Sequence, residues 1–316
     1  MAATEDDFDQ AVIDAIEKEE LRYEREQLVK SMSKQKRKTN QITSYFVPLS
    51  SSKIVDPVHP TIYVAKYSSS TRKSPDPPEG ATNILIHTSA KTIGGALSPY
   101  NLKTPEGWIL ENVWQFSKIY PRVTPQRTSK SAYESWKIIW EYGFEKHYDI
   151  TTDTVCPEYW SWREKGYQAE YAVRYPNGFD GRRECLFSLW PVDHADASLT
   201  KDKYVVGCDG KTYEKLTYIE ARKRIYCKLY RDLVRNHPEF SRLRKMIQSG
   251  KVLQISEVDG PNVDWFKDSP IKNYIVGKSL LINEKVIRYL IECPSYPFGH
   301  GYAIAALLIG GEDWIK

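Results

Sequence analysis

The alternation of apolar and polar positions changes character at about residue 60. Before it, Phe8, Val12, Ala15, Ile16 and Glu19 follow a helical period from Asp7 to about Ser33, with Leu21 and Leu28 continuing it loosely. This predicts an amphipathic helix with an acidic opening that suits a helix N-terminus. A helix so charged is marginal alone and is expected to fold on a partner. Leu49 to Pro60, with its Ser and Pro residues, reads as linker.

From residue 61 to residue 316 the pattern is that of a globular α+β domain, mostly helical with short strands. Thr61 to Tyr67 and Asn83 to Ile86 read as strands around a polar, Pro-rich loop. Ala132 to Phe144 predicts a helix with Trp136, Ile139, Trp140 and Phe144 on a core stripe, and Pro157 to Gln168 a further short one. Glu170 to Tyr175 and Glu184 to Trp190 flank a turn-rich stretch. They predict an inserted β-hairpin with a basic tip, where Arg182 and Arg183 could meet phosphates or simply be solvated, as Arg174 on the strand could meet phosphates. Lys203 to Cys208 is a strand before a turn. Thr217 to Asn236 is a long helix with Ile219, Tyr226, Tyr230 and Leu233 buried. Pro238 starts another helix, Val252 to Ile255 is a strand, and an acidic turn follows to Pro261. Phe298-Gly299-His300-Gly301 leads into an apolar helix from Tyr302 to Ile309.

The densest polar pattern lies between Leu97 and Tyr120. Glu111, Trp114, Gln115 and Lys118 recur at helical spacings, which places a carboxylate, a large aromatic, an amide and an ammonium on one face. A solvated surface helix fits that spacing as well. The lead-in sharpens it. Pro99, Pro105 and Gly107 sit among Tyr100, Asn101 and Trp108, a well-specified loop of the kind that holds ligand groups.

The length suits one large domain or two small ones, and no apolar run is long enough to span a bilayer. The acidic N-terminus lacks the regions of a signal peptide. The five cysteines are odd in number and form no CxxC pair, so neither a zinc site nor a disulfide framework is expected. No metal or cofactor is implied, and a reduced compartment fits. A net charge of +4 permits nucleic-acid contact. The nine Trp and twenty-two Tyr serve core packing or base stacking, and composition does not separate the two.

Leu97-Ser98-Pro99-Tyr100-Asn101, then Gly107, then Glu111-Asn112-Val113-Trp114-Gln115-Phe116-Ser117-Lys118 resembles the NADAR superfamily, associated with NAD and ADP-ribose. In that family a Ser-Asn loop precedes a Gly and a helix that opens Glu-His-x-Phe-Gln-x-x-Lys. Here Pro99 stands where the loop Asn is usual, and Asn112 replaces the His. A second block resembles the family in its order of elements: the basic helix, the strand, Glu257 and Asp259, then Gly299, His300 and Gly301 before an apolar helix. The usual Asp-x-x-Trp-Gly is echoed only by Asp264-Trp265.

The resemblance implies a hydrolase of N-glycosidic bonds to ribose, acting on ADP-ribosylated guanine bases or on early riboflavin-pathway intermediates. It implies Glu111 as the carboxylate nearest the anomeric carbon, and Asp259, or Glu257 in its place, activating water or binding ribose hydroxyls. Gln115 would bond ribose or base. Lys118 would hold a phosphate, fix Glu111 or attack an opened sugar. Trp108 or Trp114 would stack on a base, and Asn101 would line the loop. His300 would touch phosphate or hydroxyl, and Gly299 and Gly301 would leave amides free for a phosphate.

The tail carries two further resemblances. Asp6-Asp7-Phe8 with Ala11 and Ala15 looks like a ubiquitin-interacting motif, and implies a ubiquitin contact. After the basic run Lys34 to Lys38, residues 39–46 resemble the PIP box that binds the sliding clamp PCNA. Ile42, Tyr45 and Phe46 supply its apolar positions on one tight turn, and Gln41 sits two places late for its usual glutamine. The expectation is a nuclear enzyme, or one in a viral replication compartment, recruited to DNA through the clamp. The alternative is a non-catalytic, clamp-recruited module that binds nucleic acid or ADP-ribose.

Overall fold

The computed structural model describes residues 60–68, 70–87, 93–123, 145–177, 181, 183–192 and 203–315. The acidic helix, the PIP-like residues Gln41, Ile42, Tyr45 and Phe46, the expected helix at 132–144 and Arg182 lie outside the described residues.

The chain first forms two strands, β1 (Ile62–Lys66) and β2 (Ala81–Leu85), with a gap between them. A short helix α1 (Ile93–Ala96) and a loop lead to α2 (Leu110–Phe116). Next come β3 (Lys118–Ile119), α3 (Pro157–Gln168), β4 (Phe187–Pro191), β5 (Tyr204–Val206) and β6 (Thr212–Leu216). These four later strands make an antiparallel sheet in the order β3-β4-β6-β5. The long helix has three parts: α4 (Tyr218–Ala221), a π-helical segment Arg222–Cys227 and α5 (Lys228–Val234). After α6 (Pro238–Gln248), β7 (Val252–Glu257) fills the gap, parallel to β1 and to β2. β8 (Ile275–Val276) and β9 (Ser279–Leu281) extend this sheet to the order β8-β9-β1-β7-β2. Two helices follow, α7 (Glu284–Glu292) and α8 (His300–Leu308).

The architecture is α+β with mixed sheets. Strand alternation sets what each face of β7 does. Gln254 and Ser256 share one face, where their side chains bond Asn83 and where Ser279 Oγ donates to Gln254. Leu253, Ile255 and Glu257 share the other. α8 packs against β1 and β7, and every residue from His300 to Leu308 is buried. Each large aliphatic side chain so buried contributes about 1.5–3 kcal/mol. Glu257 therefore ends its strand in the interior, beside the first turn of α8. α4 starts in a capping box: Glu220 N–H donates to Thr217 Oγ1, and Thr217 N–H donates back to Glu220 Oε2. Among the described residues no helix is long and apolar enough to cross a membrane.

Three expectations are corrected. The helix after Leu110 ends at Phe116, because Ser117 Oγ bonds Trp114 O and Lys118, in β3, then pairs with Ser188 of β4. The strand before the acidic turn runs on to Glu257. No hairpin joins residues 170–175 to 184–190: the first segment is irregular, and β4 pairs with β3 and β6 instead.

Candidate active site

The loop before α2 is wound by backbone bonds. Asn101 and Leu102 amides donate to Ser98 O, and Gly107, at φ +87°, closes a turn onto Thr104 O. Ile109 gives α2 no side-chain cap. The first amides of the helix, Leu110 and Glu111, instead donate to Leu102 O and Pro99 O, at 2.9 and 3.1 Å. The loop thus fixes where Glu111 stands. Asn101 is exposed and ties back to Gly95 O at 2.8 Å, and Trp108 packs on Tyr167, with ring centroids 4.9 Å apart. Both have roles in the scaffold.

Glu111 is buried, and its Oε1 accepts from Gln115 Nε2 at 2.7 Å. Gln115 Oε1 accepts from Lys118 Nζ at 2.9 Å, and that ammonium lies 4.3 Å from the Trp114 ring centroid. The relay fixes the amide's orientation, since only its nitrogen can donate to a carboxylate and only its oxygen can accept from an ammonium. Lys118 keeps its place in the relay although it leaves the helix. Trp114 rests against Tyr226 and Tyr218. Burial pushes the Glu111 carboxyl up from its ordinary value; the Gln115 bond and the charges of Lys118 and Arg174 oppose this, and Asp259 adds to it.

Asp259 lies two residues beyond Glu257, at the carboxyl ends of the parallel strands, where open sheets bind ligands. The turn is tight: a Cβ at Gly260 would come within 2.3 Å of Ala65 O. Asp259 Oδ1 accepts from Arg174 Nη2 at 2.5 Å. Arg174 is within the fields of Glu111, Tyr100 and Tyr175 as well, so these groups form one cluster. The sequence pattern placed Arg174 on an exposed hairpin. It turns inward because Asn112 grips the preceding backbone: Nδ2 donates to Tyr171 O at 2.9 Å and to Ala169 O at 3.4 Å, and Oδ1 accepts from Val173 N at 2.7 Å. An amide on a helix flanked by Val113 and Phe116 is the one sequence signal of this grip, since a buried amide needs backbone partners. Arg183 is exposed.

Glu257 has another role. A Cβ at Gly299 or Gly301 would stand 2.3 or 2.7 Å from its carboxylate oxygens. The space those glycines leave is filled by the protein's own carboxyl group, which corrects the expectation that their amides await a phosphate. His300 Nδ1 is 3.1 Å from Glu257 Oε2, and its Nε2 is 3.3 Å from Ile86 O. A carbonyl only accepts, so Nε2 carries the hydrogen and Nδ1 of the neutral ring is bare. Burial pushes Glu257 up to about 8, with Asp259 adding to it, and burial pushes His300 down. Both directions describe a neutral pair with the proton on Glu257. The amides of Gly301 and Tyr302 and the charge of Arg174 favour the ionised carboxylate and are outweighed. Among the described residues neither buried oxygen of Glu257 meets a donor in good hydrogen-bond geometry.

Among the described residues no three His, Cys, Asp or Glu side chains gather where a metal ion could be held. Comparisons of this chain with protein-family models, with curated proteins and with solved structures gave no match.

Proposed function

We propose that this protein hydrolyses an N-glycosidic bond to ribose, removing ADP-ribose or a related adduct from a nucleic-acid base, and that residues 39–46 bring it to DNA through the sliding clamp. The observation that carries this reading is Glu111: a buried carboxylate held by Gln115 and Lys118, within the fields of Arg174 and Asp259. Breaking a C–N bond to ribose leaves positive charge on the sugar, and a fixed carboxylate in a dry setting stabilises it. Glu111 takes that place. Asp259, part-exposed at the mouth of the cluster, binds ribose hydroxyls or orients the water. Glu257, engaged with His300, supports the floor of the site. Gln115 and Lys118 orient Glu111. Trp114 is buried and carries the Lys118 ammonium over its ring.

The resemblance of Glu111, Gln115 and Lys118 to the NADAR pattern supports the same chemistry. The PIP-like peptide supports a nuclear or viral-replication setting, since tethering raises local concentration without new contacts at the site. The experiment is to offer a guanine-ADP-ribosylated DNA oligonucleotide to the wild type and to Glu111→Gln. No release of ADP-ribose by the wild type defeats the reading, and equal release by both removes Glu111 from the chemistry. Borohydride trapping with substrate tests attack by Lys118, because only a Schiff base is reduced to a stable adduct.

A further inference from the structure

Arg174 is largely buried, yet among the described residues it donates one hydrogen bond, to Asp259. A guanidinium carries five N–H donors in a planar fork matched to paired oxygens. Tyr175 covers it, with the ring centroid 5.0 Å away, and Glu111, Tyr100, His87 and His300 lie within its field. The segment that carries it is neither helix nor strand and is held beside α2 by Asn112. The fold therefore fixes a cation within the field of Glu111, and among the described residues most of its donors have no acceptor. Among the described residues, Glu257 fills the start of α8, and the Lys118 ammonium donates to Gln115 over the Trp114 ring as part of the relay that holds Glu111.

We infer that Arg174 is an anion-binding residue that takes a phosphate of the substrate on its free fork, and that Asp259 holds it in place until the phosphate displaces that carboxylate. The phosphate in view is the pyrophosphate of an ADP-ribosyl group, an assignment that rests on the proposed function; the backbone phosphate of a nucleic-acid strand has the same chemistry. Arg174 is a binding residue here, and its charge also lowers the cost of ionising Glu111.

The test is calorimetric titration of the full chain with inorganic pyrophosphate, ADP-ribose and an unmodified single-stranded oligonucleotide. Arg174→Gln is expected to weaken pyrophosphate and ADP-ribose about tenfold or more, the scale of a charge-assisted hydrogen bond. Arg174→Lys restores only part, since it keeps the charge and loses the fork. Asp259→Asn removes the competitor and is expected to tighten pyrophosphate several-fold, a gain that misfolding does not produce. Pyrophosphate binding unchanged by Arg174→Gln, or no tightening in Asp259→Asn, overturns the inference. Oligonucleotide binding that depends on Arg174 while ADP-ribose binding does not overturns the ADP-ribosyl source. Arg174-dependent binding of pyrophosphate and ADP-ribose without ADP-ribose release from the modified oligonucleotide upholds the anion site while the hydrolase reading falls.

Discussion

Arg222 and Arg174 are both withdrawn from solvent, and they are held in opposite ways. Arg222 Nη1 donates to Leu290, Ile291 and Cys293 carbonyls and Nη2 to Tyr296 O, all at 3.0–3.1 Å. It closes the C-terminal end of α7, where carbonyls have no partner within the helix, and its charge suits that end. Arg174, among the described residues, meets one carboxylate oxygen and sits among groups that titrate. A buried cation with its fork filled by backbone is scaffold. A buried cation that among the described residues meets one carboxylate oxygen, within the field of a second carboxylate raised by burial, is what the proposed anion site requires.

The largest effects should separate these two. Glu111→Gln should lower ADP-ribose release by about a hundredfold or more, the scale of losing a fixed charge-stabilising group, with the melting transition retained. Arg222→Ala should remove a donor shared by four carbonyls, of which Leu290 O keeps the Cys293 amide, and cost about 3 kcal/mol or more of stability, read from the urea midpoint. Asn112→Ala should cost about 1–3 kcal/mol, as a buried grip on backbone is lost. It should also weaken pyrophosphate binding through misplacement of Arg174. Normal pyrophosphate binding by Asn112→Ala would show that the grip does not position the arginine.

Much of this contrast was hidden from the sequence, for a physical reason. Glu111, Gln115 and Lys118 were legible because their contacts are three, four and seven residues apart, within reach of local periodicity. The strands at 62–66 and 252–257 were legible as apolar runs, but their parallel pairing was not. Arg174 was misplaced because the grip that turns it inward joins residues about sixty apart, and alternation alone makes residues 170–175 a strand. Gly299 and Gly301 suggest a phosphate cradle in the sequence because a glycine-bracketed helix start looks the same whether a ligand or the chain's own Glu257 fills it.

Smaller effects follow from the two buried carboxylates. On the proposed reading, in which Glu111 acts as a carboxylate, its raised value puts the acidic limb of kcat/KM above the ordinary glutamate value of 4.5. Arg174→Gln should move that limb upward and Asp259→Asn downward, since one removes a charge that lowers Glu111 and the other a charge that raises it. Glu257, at about 8 when folded against an ordinary 4.5, contributes stability that is complete below about pH 4.5 and is lost as pH rises through about 8. Glu257→Gln should flatten the decline of the melting temperature between pH 6 and 8, roughly the upper half of that window. An unchanged slope would contradict the neutral Glu257–His300 pair.

The most direct measurement is ADP-ribose released from a guanine-ADP-ribosylated single-stranded oligonucleotide by the wild type, Glu111→Gln and Glu257→Gln, each checked for a cooperative melt. The account predicts release by the wild type, nearly none by Glu111→Gln, and substantial release by Glu257→Gln. Release by folded Glu111→Gln at the wild-type rate, or none by the wild type, would contradict it.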